Sequence, residues 1–451
     1  MKEERRLLPV DGRPIASLAE YVARGGLVGL QHVGHSTRDA IVEEIARSGL
    51  RGRGGAGFPT AVKWIGVIGG GSGPRYACCN AAEGEPGTFK DRHLLRINPY
   101  QVLEGLAIAA RVVGAARAFI CLKRSFVPEI LRVRTALDEL RGAGLIGSTC
   151  GLEIEVVLGP EEYLFGEEKA LLEVIEGNLP LPRVLAPYLE GLFRHPPEAN
   201  PTLVNNVETL ANVPHILCHG ADWFRRIGTA DSPGTMIFTI TGDIRRPGCF
   251  ELPLGTPLRR LVEEFGGGSL VGRSLKAIFA GASNAVITID QLDTPMDFDA
   301  LREVGTGLGS GGFIAYDDSA CVVALAHVFS RFLYVESCAQ CPPCKLGTGE
   351  ITRLLERLEG GEGSAADIET ILARCGTVDE GNRCALPIGE RVLVQSLIRC
   401  FESEFHEHFQ SACPRARLLF LPKIVDLDPA SGCVAYDARQ PLKQPDWLYA
   451  E

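Results

Sequence analysis

Apolar residues recur at helical spacing in some stretches of this chain and alternate with period two in others, so both helices and strands are expected, the elements of an α/β or α+β protein. Ile41, Ile45 and Leu50 fall on one face of a helix expected over Ser36–Leu50, with Ser36 as its cap and glycine at its end. Tyr76-Ala77-Cys78-Cys79 reads as a short strand, and Tyr163–Leu172 and Asn205–Asn212 each open a helix. Met236–Asp243 alternates like a strand, Arg245–Gly248 is turn-like, Leu258–Phe265 reads as a helix, and Phe313–Tyr316 as a strand. Beyond Cys321, helical periods in Val322–Val335, Gly349–Leu358 and Val392–Phe405 predict a four-helix bundle. Residues 411–451 are proline-rich and read as an irregular tail wrapping this subunit or a partner.

Composition narrows the class. A chain of 451 residues with 45% hydrophobic content is expected to form about three domains, each with its own core. It has no apolar run of membrane-spanning length, and its first ten residues lack a secretory hydrophobic region, so a cytoplasmic protein is expected. A formal charge of −10 argues against generic nucleic-acid binding and favours protein partners. Fifteen cysteines spread over this length do not form a dense disulfide framework.

Four of those cysteines carry the strongest chemistry. Cys338, Cys341 and Cys344 stand in a Cys-x-x-Cys-x-x-Cys run, and Cys384 follows 40 residues after Cys344. One loop can turn three thiolates toward a common centre while a distant fourth closes it, the arrangement a 4Fe-4S cluster requires. Zinc is the competing reading, although zinc sites usually use two Cys-x-x-Cys pairs. The other eleven (Cys78, Cys79, Cys121, Cys150, Cys218, Cys249, Cys321, Cys375, Cys400, Cys413, Cys433) are expected to be mostly core.

Two glycine-bearing loops suggest a second site. Residues 50–60 contain Gly-x-Gly-x-x-Gly, but they follow a helix where a dinucleotide fingerprint should follow a strand. Their glycines can still bring backbone N–H groups close to a phosphate or planar ring. Asn80–Arg92 crowds acids, an amide and glycines at a strand's carboxyl end, where α/β sheets bind ligands, though a solvated turn would use the same residues. Gly305–Gly312 suits either a linker or a structured connection.

Taken together, Arg51–Thr60, Asn80–Arg92, Tyr163–Leu171, Asn200–His215 and Glu336–Cys344 resemble, in order and spacing, the flavoprotein subunit of respiratory complex I and its relatives in NAD-linked hydrogenases and formate dehydrogenases. The resemblance implies a Rossmann-like FMN domain (36–230, after a lead at 1–35), a ubiquitin-like β-grasp domain (231–320), a helical 4Fe-4S domain (321–410) and a tail (411–451). It implies hydride transfer between NAD(H) and FMN, then one-electron transfer through the cluster. Gly52, Gly54, Lys63, Asn80, Glu83, Tyr163, Gly166, Glu167, Asn205 and Asn206 would surround FMN, with Arg53 and Gly55 in the same glycine loop. Phe58, Glu85, Glu168 and Tyr188 would meet NADH, and Glu83 and Glu85 would lie nearest the chemistry. Implied partners are a thioredoxin-like 2Fe-2S subunit and, beyond it, a larger iron-sulfur subunit or a hydrogenase, formate dehydrogenase or quinone module.

Three positions depart from the family pattern. Ala82 stands where an Asp is usual, Leu185 where a base is common, and Gly66 where many relatives carry a bulky side chain. They motivate an alternative: a paralogue that has lost nicotinamide binding and serves as a flavin or cluster relay or scaffold.

Overall fold

The computed structural model describes residues 5–194, 198–409, 411, 417–428 and 431–450. Its first layer is a four-stranded parallel sheet of β1 (Arg75–Ala81), β2 (Ala115–Lys123), β3 (Glu153–Gly159) and β4 (Thr202–Asn206), in the order β3-β2-β1-β4. These strands are rich in Ala, Cys, Val, Ile and Leu because crossover helices bury the sheet. Helices Pro99–Val113 and Val207–His219 pack against each other, and both reach β1. Gly105 makes that closeness possible: a Cβ there would lie 2.0 Å from the Leu210 carbonyl oxygen. The chain runs from β1 outward through β2 and β3, then returns to place β4 on the other side of β1. That reversal opens a crevice at the carboxyl ends of β1 and β4, the position where such sheets bind ligands.

The helix expected over Ser36–Leu50 forms as Arg38–Ser48. Its cap is Thr37 and not Ser36, because the Thr37 hydroxyl is the one that accepts from a first-turn amide, that of Ala40, at 3.2 Å. Gly49, at φ +69°, ends it in the left-handed conformation, with Leu50 buried just beyond. Residues 5–35 carry two further helices, Leu18–Ala23 and Val28–His35, and the second packs on Val207–His219.

The second layer is a mixed five-stranded sheet of β5 (Thr235–Gly242), β6 (Gly248–Pro253), β7 (Leu275–Ala280), β8 (Ile287–Thr288) and β9 (Gly312–Asp317), in the order β6-β5-β9-β7-β8. Only β5 and β9 pair in parallel. Leu258–Phe265 is helical, its second half a π-helix.

Helices Val322–Glu336, Pro342–Glu359, Ala365–Cys375 and Leu386–Cys400 form the third unit. The first packs against the second and fourth, and the third against the same two. Val322, Leu325, Phe329, Phe332 and Leu333 recur at i, i+3, i+7, i+10 and i+11, giving the first helix its buried stripe. Pro342 and Pro343 open the second helix, where their missing N–H groups go unneeded.

The tail is more ordered than an irregular wrap. It contains a hairpin, β10 (Ile424–Asp428) with β11 (Cys433–Tyr436), whose Ile424 and Leu427 join the core of the first domain. Leu419 and Leu421 join the core of the helical unit. Lys443 meets Glu336 at 2.8 Å, both side chains fully buried. Among the described residues no helix is long and apolar enough to cross a membrane.

Candidate flavin and cluster site

The crevice predicted by the strand reversal is an open cleft with about 840 Å³ of space between its walls and the adjoining solvent. It gathers Gly54, Asn80, Glu83, Glu85, Tyr163, Gly166, Glu167 and Asn206 from separate segments of the chain. Each is held by local bonding. Asn80, near the end of β1, donates to the Gly166 carbonyl at 2.7 Å, tying the strand to the turn Tyr163–Gly166. Glu167 caps helix Glu168–Ile175 by accepting from the Lys169 and Ala170 amides, and burial nevertheless raises its carboxyl to about 7.

Glu85 accepts from the Tyr163 hydroxyl at 2.5 Å and from the Ala282 amide at 2.7 Å. Burial raises its pKa, which these two donors only partly offset. Glu83 is held differently: its carboxylate accepts from the Asp91 amide and the Arg92 guanidinium, both at 2.9 Å, with its side chain almost fully buried. Behind them, Lys90 bridges Asp91 at 2.7 Å and Glu208 at 2.9 Å, while Asn206 donates to Asp91 at 2.6 Å.

Other expected residues lie outside the cleft lining. Gly52 donates to the Phe58 carbonyl and closes the glycine loop. Arg53 is fully buried, donating to the carbonyls of Pro233 and Arg51, so it pins that loop from beneath. Lys63 meets Glu168 at 2.5 Å and donates to the Val204 carbonyl. Asn205 accepts from the Trp64 indole at 2.9 Å. Phe58 and Tyr188 are about half exposed. Tyr188 borders the space a side chain at Gly66 would take, with a Cβ there 3.9 Å from its ring, and Leu185 stands exposed nearby in sequence.

Sequence reasoning gave no role to Gly84, Thr88, Asp91, Leu164, Ser283, Ser310, Ala385 or Leu386, all of which line the cleft. Asp91 lies in the Asn80–Arg92 segment, and Ser310 lies in the glycine-rich stretch that suited either a linker or a structured connection. Ser283 and Leu386 come from units folded elsewhere in the chain and carry no local signal.

The four cysteines line one small pocket with Leu164, Ala339, Asn382 and Leu386. Among the described residues no three His, Cys, Asp or Glu side chains are arranged to hold a single metal ion. Four cysteines around one cavity, three of them in a Cys-x-x-Cys-x-x-Cys run, are the donor set a 4Fe-4S cluster requires. Burial pushes the thiols of Cys344 and Cys384 up to about 12, so a bound cluster's positive charge is what would keep them as thiolates. Of the other cysteines, Cys78, Cys79, Cys121, Cys249, Cys321 and Cys375 are buried, Cys150 and Cys218 are half-buried, and Cys400 and Cys433 are exposed. Cys413 lies outside the described residues.

The cleft fits a flavin nucleotide by the same kind of test. Among the described residues the amides of Gly54 and Gly55 have no acceptor within the protein. A Cβ at Gly54 would lie 3.2 Å from Asn206, and one at Gly166 would lie 3.2 Å from the Ala82 carbonyl oxygen, so glycine keeps both walls open. The cleft and the cysteine pocket share Leu164, Cys384 and Leu386.

Comparison with known proteins agrees. Residues 45–215 match the Nuo51 FMN-binding domain, residues 324–408 the NADH-ubiquinone oxidoreductase-F iron-sulfur binding region, and residues 237–286 the SLBB domain. An NADH-quinone oxidoreductase subunit of Rhizobium meliloti (strain 1021) is 42% identical over 407 residues, spanning 88% of this chain and 96% of that protein. An NADP-reducing hydrogenase subunit of Solidesulfovibrio fructosivorans, HndC, is 35% identical over 92% of this chain and 86% of its own. A chain of an NAD+-reducing NiFe-hydrogenase crystallised in the H2-reduced state superposes with a TM-score of 0.78 at 32% identity, over 88% of this chain and 67% of that one. The chain therefore belongs to the family of FMN- and 4Fe-4S-binding flavoprotein subunits of NADH-quinone oxidoreductases and NAD-linked hydrogenases.

Proposed function

We propose that this chain is the NADH dehydrogenase subunit of a larger redox complex, passing electrons between NAD(H) and a partner iron-sulfur protein. The observation that carries this reading is the wall shared by the two pockets, Leu164, Cys384 and Leu386, which puts the cluster ligand Cys384 at the edge of the flavin cleft. When bound, FMN supplies conversion between two-electron and one-electron transfer, and the 4Fe-4S cluster supplies a one-electron carrier.

The chain's own residues position and insulate. Gly52, Gly54, Gly55, Asn80, Gly166, Glu167, Asn205 and Asn206 frame FMN, and Arg53 holds the glycine loop from below. Tyr163 keeps Glu85 oriented within the cleft, while Arg92 pairs with Glu83 and holds it in place. Phe58 and Tyr188 offer half-exposed rings to the adenine end of NADH. Lys63 joins the residues that frame FMN, and Glu168, its ion-pair partner, meets the ribose of NADH, where the acid disfavours a 2′-phosphate. Cys338, Cys341, Cys344 and Cys384 hold the cluster.

The same reading divides the chain into a lead (1–35), an FMN domain (36–230), a β-grasp domain (231–320), a helical 4Fe-4S domain (321–410) and a tail. The mixed sheet, with one parallel pair and one short crossing helix, supports the β-grasp assignment, and the four mutually packed helices support the bundle. A thioredoxin-like 2Fe-2S subunit is the expected direct partner, with a larger iron-sulfur subunit or a hydrogenase, formate dehydrogenase or quinone module beyond it. Turnover of NADH with ferricyanide by the FMN- and cluster-loaded chain tests the reading. Sustained one-electron reduction of ferricyanide is expected, and a loaded protein inert toward NADH contradicts it.

A further inference from the structure

A second cavity lies on the far side of the loop Glu83-Gly84-Glu85, which forms a wall of both spaces. Its floor is Lys123, the last residue of β2, and part of its rim comes from the tail, through Lys423 and Arg439. Lys123 is 1% exposed, and its ammonium donates to the Glu161 carbonyl at 3.1 Å. Among the described residues it has no carboxylate partner. The ammonium lies so close under the loop that a Cβ at Gly84 would come within 2.6 Å of it.

The acids around the cavity are already committed. Glu83 is paired with Arg92, and Glu85 is held by Tyr163 and the Ala282 amide. Glu161 accepts from the Ser125 amide and hydroxyl. Asp437 accepts from the Arg439 amide and pairs with Lys423 at 3.4 Å. Arg439 stacks on the Tyr449 ring and, among the described residues, has no acidic partner. Among the described residues neither Lys123 at the floor nor Arg439 at the rim makes an ion pair with an acid, Glu161 and Glu336 acting on Lys123 only through their charge, and a buried ammonium is costly unless neutral or matched by an anion.

We infer that this cavity is a binding site for a small doubly charged oxyanion, held between Lys123 at the floor and Lys423 and Arg439 from the tail. The tail hairpin is then part of a ligand site as well as a structural strap, and an occupied site places negative charge one loop behind the flavin cleft. Burial, then the Lys423 charge, lowers the Lys123 ammonium to about 7, with Arg92 acting in the same direction and Glu161 and Glu336 opposing it. An anion needs the charged form, so its binding tightens as pH falls through that value.

Calorimetric titration with sulfate tests this, because sulfate keeps its charge between pH 6 and 8. The protein is loaded with FMN and cluster and saturated with NAD+, which fills the nucleotide-phosphate positions. Saturable one-site binding is expected, tighter at pH 6 than at pH 8 and weakened about tenfold or more by Lys123→Met. A parallel phosphate titration shows which oxyanion the site prefers. If Lys123→Met does not fold, Arg439→Gln and Lys423→Gln at the rim decide, each expected to weaken binding several-fold. Absence of saturable binding, or binding unchanged in the folded variants, overturns the site.

Discussion

The flavin cleft and the cysteine pocket adjoin, yet they are built by opposite means. The cleft is polar, and its functional side chains are positioned by one another: Tyr163 holds Glu85, Arg92 holds Glu83, and Asn206 holds Asp91. The cysteine pocket gets three of its four thiols from one seven-residue stretch and is otherwise lined by Leu164, Leu386 and short loop residues. A site made of mutual hydrogen bonds loses function by degrees when one partner is removed. A site made of four ligands to one centre fails together.

The largest effect is therefore expected in the cysteine pocket. Replacing Cys344 by Ser should reduce iron from about four atoms per chain to well below two, while FMN stays bound, as iron assay and flavin absorbance will report. Concerted loss of both cofactors would show that the two sites are not separable. In the cleft, Tyr163→Phe removes one donor to a buried carboxylate, a loss of about 1–3 kcal/mol, so kcat with NADH should fall roughly ten- to a hundredfold with the cluster intact. An unchanged kcat would mean that Glu85 does not depend on that bond.

Outside the cleft lining, Glu168→Gln removes the charge paired with Lys63 and should raise kcat/KM for NADPH relative to NADH by about tenfold. A constant ratio of the two substrates would remove Glu168 from specificity. The smallest effect concerns the helical unit. Burial raises the Glu390 carboxyl to about 8, well above its unfolded value of 4.5, so the folded chain holds this proton more tightly than the unfolded chain. The stability it contributes is full below about 4.5 and is lost as pH rises through about 8. Melting temperature should thus fall between pH 5 and 8, and Glu390→Gln should flatten that fall.

The same contrast explains what could be read from the chain. The cysteine pocket is legible because a Cys-x-x-Cys-x-x-Cys run fixes residue type and spacing together. The strand Arg75–Ala81 and the helices Val322–Glu336, Pro342–Glu359 and Leu386–Cys400 are legible because burial fixes their periodicity, whereas Ala365–Cys375 was not read. Of the cleft, the two glycine-bearing loops carried a local signal and the rest was legible only through resemblance, since its walls come from segments as far apart as Gly54 and Leu386, and nothing in a local pattern tells Glu83, which is clamped by Arg92, from Glu85, which faces Tyr163. The tail hairpin escaped because Ile424 and Leu427 are too few to announce a strand, and their burial depends on partners more than three hundred residues earlier, such as Arg92, which donates to the Ile424 carbonyl.

Transfer of electrons across the shared wall is tested most directly by an anaerobic titration of the FMN- and cluster-loaded chain with NADH, following flavin and cluster absorbance together. Bleaching of both at stoichiometric NADH is the predicted result. Bleaching by dithionite but not by NADH would contradict it, and would mean that Ala82, Gly66 and Leu185 have cost this chain its nicotinamide site.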